Sequence, residues 1–307
     1  MHGDVLCFKI ADFFSARLIH FLRFGFLNAI LLYFWSNMQS EKVQHIRLET
    51  HILASSLLKR HVTLSIFLPV MQIPAGEMSL LLINDGQDLE VMNFESILNN
   101  LYEAKEITPV FFVGLGCSKD RKHEYGTAKF LDSKGRGTKA LLYHRFIFEE
   151  LLPFIRSNYG VASFKEKSFC GFSLGGLSAL DIVWNHPAEF TKVGVFSGSL
   201  WWRAVSQNDP SFDELNHRIM HNQIRNGEYY PWLKFFFETG TLDETADRNN
   251  NGIIDSIDDT KSLIEELVKK GYDPETDIRY LELKDGKHDV ATWGRAFPEF
   301  LKWGWGI

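Results

Sequence analysis

Apolar runs of strand length alternate with segments of helical periodicity along most of this chain, and that alternation constrains its fold most strongly. The apolar runs lie at residues 78–85, 109–116, 167–173, 192–198, 234–240 and 278–283. The helical segments lie at residues 139–159, 174–187, 258–271 and 291–303. Runs that are apolar on both faces are what buried parallel strands require, and the helices between them supply the crossovers. The sequence therefore predicts an α/β fold with a mainly parallel central sheet and helices on both faces.

Two segments that precede these runs have a different pattern. Residues 44–53 and 61–70 alternate apolar and polar side chains, as paired antiparallel strands do when one face is buried. Pro74 and Gly76 then mark a turn. We therefore expect an antiparallel pair at the N-terminal side of the sheet, within a single domain over residues 42–307.

Composition narrows the class of protein further. The net charge is -6 with acidic and basic residues interspersed, and this argues against a nucleic-acid partner because phosphate binding requires a basic face. Cys7, Cys117 and Cys170 are widely spaced and form no CxxC pair. Neither a disulfide framework nor a zinc site is therefore expected.

Residues 1–41 form a hydrophobic extension that differs from the rest of the chain. Its uncharged stretch at 24–35 is shorter than the roughly 20 residues of a membrane span, so no stable span is predicted. We favour a start at Met38, with the upstream residues a leader without a folding role, over a signal peptide or anchor. Localisation is left open: cytoplasmic if residues 1–37 are not a signal, periplasmic or secreted if they are.

One serine lies where a buried strand is predicted to turn into a helix. Ser173 is the central residue of "GFSLG", a G-x-S-x-G pattern at residues 171–175. A sharp strand-to-helix turn projects such a hydroxyl above the sheet edge, and glycine is needed where neighbouring backbones come close. Ser173 is therefore the candidate nucleophile, with a helix N-cap serine as the alternative.

A nucleophilic serine needs a base and an orienting acid, which follow it in the order acid, then histidine. His288 is the only histidine beyond residue 221, and it lies between the last predicted strand and the last helix. It is the candidate base, and an exposed loop histidine is the alternative. Asp243, Glu238 and Glu244 compete as the acid. We favour Asp243 because it lies past the Gly240 turn, whereas Glu238 lies within the strand.

Two backbone N–H groups are candidates for the oxyanion hole. The turn at Ser173 directs the N–H of Leu174 toward the position of an oxyanion. After the strand that ends near residue 84, Gly86 permits a turn from which the N–H of Gln87 points inward. In the alternative interpretation, Asp85 or Asp88 of this segment caps the next helix.

Four stretches of the chain resemble the esterase family of α/β-hydrolases, which includes enterochelin, feruloyl and acetylxylan esterases. They are "LLINDGQDL", "GCSKDRKHEYG", "GFSLGGLSALDIVWNHPAEFTKVGVFSGSLWW" and "GKHDVATW". The "SGSLWW" segment is most similar to the enterochelin esterase branch. The resemblance covers about residues 42–305 and implies an α/β-hydrolase fold with Ser173 as nucleophile, His288 as base, and Gln87 and Leu174 as oxyanion donors. It does not fix the acid, which is Asp or Glu in the family.

Two further stretches are expected to shape a substrate pocket. Arg121, Glu124 and Tyr125 match the family's R-x-x-E-Y motif, and we expect a buried ion pair there, with substrate contact as the alternative. Trp201 and Trp202 are candidates for lining an acyl or aromatic subsite, because aromatic rings supply contact area with few rotatable bonds. Core positions are the alternative for both tryptophans.

The segment "DRNNNGIIDSID" at residues 247–258 has the ligand spacing of an EF-hand-type calcium loop. Glycine stands at its sixth position, and its final residue is Asp, as in dockerin loops. The ligands would be Asp247, Asn249, Asn251, the carbonyl oxygen of Ile253, Asp255 and Asp258. The sequence thus predicts a structural calcium site, inserted in the esterase domain; a polar loop without an ion is the alternative.

Together these features favour a serine hydrolase that cleaves carboxylic esters through an acyl-enzyme and needs no cofactor for its chemistry. Its substrate would be a small-molecule or glycan-linked ester, including siderophore or carbohydrate-linked esters. An acyltransferase of the same fold and a non-catalytic ligand-binding module are the alternatives, and the oligomeric state is left open. The fold alone does not identify the substrate.

Overall fold

The structure is a computed structural model, and it describes residues 44–307 except residues 72 and 75. The extension at residues 1–41 and the expected start at Met38 lie outside the described residues. Among the helices that are described, none combines the length and the apolar character that a bilayer span requires.

A single sheet of eight strands forms the centre of the domain within the described residues. The strands are β1 (Ile46–Ser55), β2 (Arg60–Pro69), β3 (Ser79–Asn84), β4 (Val110–Leu115), β5 (Lys167–Phe172), β6 (Lys192–Phe196), β7 (Lys234–Leu242) and β8 (Ile278–Lys287). Their order across the sheet is β1-β2-β4-β3-β5-β6-β7-β8. Every apolar run predicted as a strand is thus a strand of this sheet.

Strand direction follows the predicted arrangement. β1 and β2 form the expected antiparallel pair, with Ser55 opposite Arg60. β2 also runs antiparallel to β4, so the hairpin extends the sheet on one side. All pairs from β4 to β8 are parallel. The prediction of a mainly parallel sheet with an antiparallel N-terminal pair is therefore confirmed.

Helices connect the strands and flank the sheet. They are α1 (Asp88–Val91), α2 (Phe94–Glu103), α3 (Arg121–Glu124), α4 (Ala140–Phe146), α5 (Leu152–Tyr159), α6 (Leu174–Asn185), α7 (Glu214–His217), α8 (Ile219–Asn226), α9 (Asp255–Lys270) and α10 (Val290–Trp305). A π-helical turn at Ile147–Leu151 joins α4 to α5. The predicted helix over residues 139–159 is thus present, with one wide turn in its middle.

Alternate residues of the buried strands pack in two different apolar clusters, one on each face of the sheet. In β3, Leu80 and Leu82 belong to one cluster, whereas Leu81 and Ile83 belong to the other. All four side chains are fully buried. This is the double-sided burial that continuous apolar runs predict, and it holds the strand ends in fixed positions.

The parallel strands bring distant residues to one edge of the sheet. β3, β5, β6, β7 and β8 run in the same direction, so their carboxyl ends lie on the same side. The residues that directly follow these five strands are Asp85, Ser173, Ser197, Asp243 and His288. The candidate site is therefore assembled at this edge.

Candidate active site

Ser173 lies in a strained turn between β5 and α6. Its φ and ψ are 55° and -120°, outside the regions that non-glycine residues normally adopt. Its N–H donates to the carbonyl oxygen of Phe196 over 2.8 Å, which ties the turn to β6. A Cβ atom on Gly171 would lie 2.5 Å from the carbonyl carbon of Gly175, so glycine is required at this crossing. The sequence-predicted strand–turn–helix geometry is present.

The two candidate oxyanion donors lie on neighbouring turns. Leu174 is the first residue of α6 and Gln87 immediately precedes α1, so neither N–H has a partner within its helix. Gly86 allows the second turn to lie against β4, because a Cβ atom there would be 2.4 Å from the carbonyl carbon of Gly114. The side chain of Gln87 is fixed outside the turn, where its Oε1 accepts from the N–H of Cys117 over 3.0 Å.

Arg121 connects these two turns. Its Nε and Nη2 donate to Oδ1 and Oδ2 of Asp85 over 2.7 and 2.8 Å, and Nη2 also donates to the carbonyl oxygen of Phe172 over 3.1 Å. Asp85 is buried and, like Ser173, has a positive φ of 60°. The expected buried ion pair is therefore present, but Arg121 forms it with Asp85 in the turn after β3 and not with Glu124.

Glu124 forms a different buried ion pair. Its carboxylate accepts from Nε and Nη2 of Arg60 over 2.8 and 2.7 Å, across to β2. Tyr125 is also buried, and its hydroxyl accepts from the N–H of Asp85 over 3.2 Å. Tyr125 therefore supports the turn after β3 from within the core and does not line a pocket, which corrects the expectation for this residue.

His288 follows β8 directly, and the ring is exposed, as a base that meets a substrate must be. The ring packs against Trp293 in a T-shaped arrangement, with centroids 5.4 Å apart. The surrounding protein lowers the pKa of His288 by reducing its hydration, and the nearby carboxylate of Asp243 opposes that shift. Among the described residues, no hydrogen bond joins His288 to Ser173 or Asp243; such bonds are often long before substrate binds.

Asp243 has one oxygen engaged and one free. Oδ1 lies 3.2 Å from the hydroxyl of Ser197, whereas Oδ2 is buried without a hydrogen-bond partner among the described residues. Burial raises the pKa of Asp243, and the imidazole of His288 counteracts that effect. Asp243 is thus the larger of two carboxylate influences that raise the pKa of His288, and the neighbouring Asp289 is the other.

The two competing acids have other surroundings. Glu238 lies within β7, is fully buried, and has its pKa raised to about 8 by burial and by the nearby charge of Asp243. Burial also raises the pKa of Glu244, whose acidic neighbours include Asp255. Asp243, unlike Glu238 and Glu244, influences the pKa of His288, so these surroundings favour the prediction that Asp243 is the acid.

The two tryptophans differ in environment. Trp202 is fully buried beneath Gly126, where an added Cβ atom would lie 2.7 Å from the indole, so the expectation that it lines a pocket is wrong. Trp201 is partly exposed and borders a cavity of about 280 Å³. The guanidinium of Arg136 stacks over its ring at 4.9 Å, and Arg203 lines the same cavity. Trp201 is thus the member of the pair that a ligand can reach.

Sequence analysis did not identify Ser197 or Trp293. The indole N–H of Trp293 donates to Oγ of Ser197 over 3.0 Å, and both residues are buried beside Asp243. Ser197 belongs to the "SGSLWW" segment, and Trp293 ends the "GKHDVATW" segment. Both residues therefore lie in stretches that carry the family resemblance, but the resemblance assigns no role to either side chain.

The segment at residues 247–258 combines a turn with the first residues of α9, and backbone N–H groups of the turn point at its own polar side chains. Asp247 accepts from the N–H groups of Asn251 and Gly252 over 3.1 and 2.9 Å. The amide groups of Asn249 and Asn251 donate to Oδ2 of Asp258 over 2.7 and 3.0 Å. Asn249, Asn251 and Asp258 also line a cavity of about 840 Å³.

One candidate ligand of this loop has a strong competing partner. Asp255 accepts from the backbone N–H of Arg248 over 2.9 Å and lies 3.1 Å from its Nη1. Within the described residues, no three His, Cys, Asp or Glu side chains are grouped so as to hold a metal ion. The donor set is mostly oxygen from carboxylate, amide and carbonyl groups, which suits calcium chemistry, and calcium binding stays a prediction.

The sheet order and the strand-end site define the class of this protein as an α/β-hydrolase fold. The family model described as "Esterase: Putative esterase" matches residues 55–303. The chain belongs to this esterase family, and the protein is therefore a carboxylic ester hydrolase. A similar curated protein is the uncharacterized protein YjcH of Bacillus subtilis (strain 168), which is 22% identical over 252 residues, covering 81% of this chain and 93% of the relative.

Solved structures share the fold at low sequence identity. The enterochelin esterase from Shigella flexneri has a TM-score of 0.62 and 21% identity, covering 83% of this chain. This chain spans 57% of the length of that enterochelin esterase. A ferulic acid esterase has a TM-score of 0.60 and 17% identity, with 84% of this chain and 97% of that chain covered.

Proposed function

We propose that the protein hydrolyses its ester with a catalytic triad of Ser173, His288 and Asp243, through an acyl-enzyme intermediate. The observation that carries this proposal is the strained turn at Ser173. This non-glycine residue has a φ of 55° and lies at the edge of the sheet where the parallel strands end. The positions of Asp243 and His288, directly after β7 and β8, support the same assignment.

The proposed reaction has two halves. Oγ of Ser173 attacks the ester carbonyl carbon while His288 takes the hydroxyl proton, and the oxyanion is stabilised by the N–H groups of Leu174 and Gln87. The tetrahedral intermediate then collapses, and His288 gives its proton to the departing alcohol. Water attacks the acyl-enzyme with His288 again as base, which releases the acid and restores Ser173. Asp243 orients the imidazole and stabilises its protonated form.

We further propose a siderophore or carbohydrate-linked ester as the substrate. The names of two proteins of the same fold, an enterochelin esterase and a ferulic acid esterase, support this choice of esters. Enterochelin, feruloyl esters and acetylated sugars are therefore the first compounds to test.

Labelling with a fluorophosphonate probe tests the nucleophile directly, and hydrolysis of the ester panel tests the substrate. Ser173→Ala should abolish labelling and lower kcat by a factor on the order of 10⁴, because the attacking oxygen is lost. Ser178→Ala is the matched control, since Ser178 is a buried serine of α6 whose hydroxyl has no partner within the described chain. Near wild-type turnover in a folded Ser173→Ala variant would refute the triad. Added alcohol in the same assay measures acyl transfer against hydrolysis.

A further inference from the structure

Ser197 has a backbone conformation that costs energy and lies almost completely buried. It directly follows β6, has a φ of 44°, and is 2% exposed. Its N–H donates to the carbonyl oxygen of Glu238 over 2.8 Å, which ties it to β7. A non-glycine residue in this region persists only when its surroundings enforce it, and such residues concentrate at functional sites.

The hydroxyl of Ser197 lies among three polar groups. Its Oγ is 3.0 Å from Nε1 of Trp293, 3.2 Å from Oδ1 of Asp243 and 3.5 Å from Oε2 of Glu238. An indole nitrogen can only donate, so one lone pair of the hydroxyl accepts from Trp293. The single hydroxyl proton is then available to a carboxylate, and Asp243 is the closer of the two. Trp293 thus fixes the direction in which Ser197 donates.

We infer that Ser197 is a positioning residue, whose hydroxyl holds Oδ1 of Asp243 and thereby presents Oδ2 to the imidazole of His288. This inference rests on the proposed triad. The state of Oδ2 supports it, since this oxygen is buried and has no hydrogen-bond partner in the described part of the chain. A buried carboxylate oxygen without a donor is costly, and the N–H of His288 is the donor that its location calls for.

Trp293 couples this arrangement to the other parts of the site. One face of its ring stacks on Phe172, with centroids 5.1 Å apart and planes 20° apart, and Phe172 directly precedes Ser173. The His288 ring packs against the same indole in a T-shaped arrangement, with centroids 5.4 Å apart. A single buried side chain of α10 therefore contacts the base and the strand that carries the nucleophile, and it donates to the serine that holds the acid.

Glu238 completes the environment of the hydroxyl as an uncharged acid. It is fully buried, and burial beside Asp243 raises its pKa to about 8, so it carries a proton at neutral pH. A protonated carboxyl can donate toward the second lone pair of Ser197 and does not compete for its proton. The hydroxyl then accepts from Trp293 and faces the acid of Glu238, and its own proton goes to Asp243.

The test begins with Ser197→Ala on the ester that the wild-type protein hydrolyses fastest. We expect kcat to fall by a factor on the order of 10 to 100, because a misplaced acid misorients the base, while KM changes less than about twofold. Ser168→Ala is the matched control: Ser168 is a fully buried serine of β5 with no hydrogen-bond partner for its hydroxyl in the described residues. Ser197→Gly serves if Ser197→Ala does not fold, since glycine lacks the hydroxyl and relieves the positive φ.

A double-mutant cycle separates positioning from a merely structural role. If Ser197 acts through Asp243, Ser197→Ala should change kcat less than about twofold in an Asp243→Asn background. The inference is overturned if the two effects multiply, or if Ser197→Ala alone keeps wild-type kcat while Asp243→Asn loses it. A wild-type protein that neither labels with fluorophosphonate nor hydrolyses any ester refutes the proposed function instead, and the inference falls with it.

Discussion

Arg121 and Asp85 form a two-pronged ion pair that joins the turns carrying both candidate oxyanion donors. The distances are 2.7 and 2.8 Å, and the same guanidinium holds the carbonyl oxygen of Phe172 at the end of β5. The turn after β3 precedes Gln87, and the turn after β5 precedes Leu174. A planar guanidinium fits two acceptors at once, whereas an ammonium group is a point charge. We therefore expect the spacing of the two candidate donors to depend on Arg121.

Arg121→Ala should lower both activity and stability. We expect kcat to fall on the order of 100-fold, because the two donors lose their relative placement. The free energy of unfolding should decrease by about 3 kcal/mol, since the buried carboxylate of Asp85 is left without its partner. Arg121→Lys should recover part of the stability and little of the activity. Steady-state kinetics and denaturant unfolding measure the two effects.

Arg145→Ala is the control for the loss of an arginine, because Arg145 pairs with Glu149 on an exposed helix face. Such surface pairs contribute little, so its kinetics and unfolding should match the wild-type protein. If Arg121→Ala behaves like Arg145→Ala, the ion pair with Asp85 does not set the geometry of the site.

The pH dependence of kcat/KM should report the protonation of His288. Reduced hydration lowers the pKa of this histidine below its ordinary value of 6.5, and Asp243 partly offsets the shift. Because the neutral imidazole is the base, activity should be lost as pH falls, with a midpoint below about 6.5. Asp243→Asn should move this midpoint further down, since the carboxylate that favours the charged form is gone. A profile that is flat from about pH 5 to 8, with chemistry rate-limiting, would contradict the role of His288.

Glu238 should make the protein less stable as pH rises. Its pKa is raised from 4.5 to about 8 in the folded protein, so between these values the folded state holds a proton that the unfolded state has released. Stability is then fully present below about pH 4.5 and falls by up to about 1.4 kcal/mol per pH unit until Glu238 ionises near pH 8. Glu238→Gln should flatten this decline in denaturant unfolding at pH 5, 6.5 and 8.

Glu103→Gln is the surface control for this experiment, because Glu103 is an exposed glutamate at the end of α2. Its stability profile should follow that of the wild-type protein. Equal slopes for Glu238→Gln and the wild-type protein would mean that Glu238 does not carry a proton in the folded state at neutral pH.

The sequence was most informative where chain order alone determines position. The apolar run at residues 167–173 predicted β5, which ends at Phe172, and the helical pattern after it predicted α6. Once the strands are parallel, residues that follow them must meet at one edge, so Ser173 and His288 could be selected without knowledge of contacts. Asp243 was selected for the same reason, and its surroundings are consistent with that choice.

The sequence was least informative about pairing between distant residues. Arg121 and Glu124 lie three residues apart, a spacing that favours a local ion pair, yet Arg121 pairs with Asp85 in the turn after β3 and Glu124 pairs with Arg60 of β2. Aromatic side chains suit both pockets and cores, so the sequence alone leaves both positions open for Trp202. Its burial beneath Gly126 shows that it occupies a core position. Tertiary packing decides such questions, and it leaves no periodic signal in the chain.

The final prediction concerns calcium at residues 247–258. A ligand that binds only the folded state stabilises it by mass action, by about 2.7 kcal/mol when the ligand concentration is 100 times Kd. Calcium added to metal-stripped protein should therefore raise Tm, and a chelator should reverse the change. Asp247→Ala combined with Asp258→Ala should abolish the effect, because each change removes a candidate carboxylate ligand that accepts hydrogen bonds only from groups of its own segment. Calorimetric titration measures the binding itself.

Asp273→Ala is the matched control for removing a loop carboxylate. Asp273 also accepts from two backbone N–H groups of its own turn, so Asp273→Ala removes the same kind of loop hydrogen bonds as Asp247→Ala. The rise in Tm on adding calcium should be unchanged in Asp273→Ala. Asp247 lies four residues after Asp243, so an ion in the loop would steady the segment that carries the acid, and chelation should lower kcat far less than Ser173→Ala does. Arg248 competes for Asp255, which places the expected affinity toward the weak end of such sites. The absence of both heat and thermal shift at about 1 mM calcium would therefore identify residues 247–258 as a polar loop held together by its own hydrogen bonds.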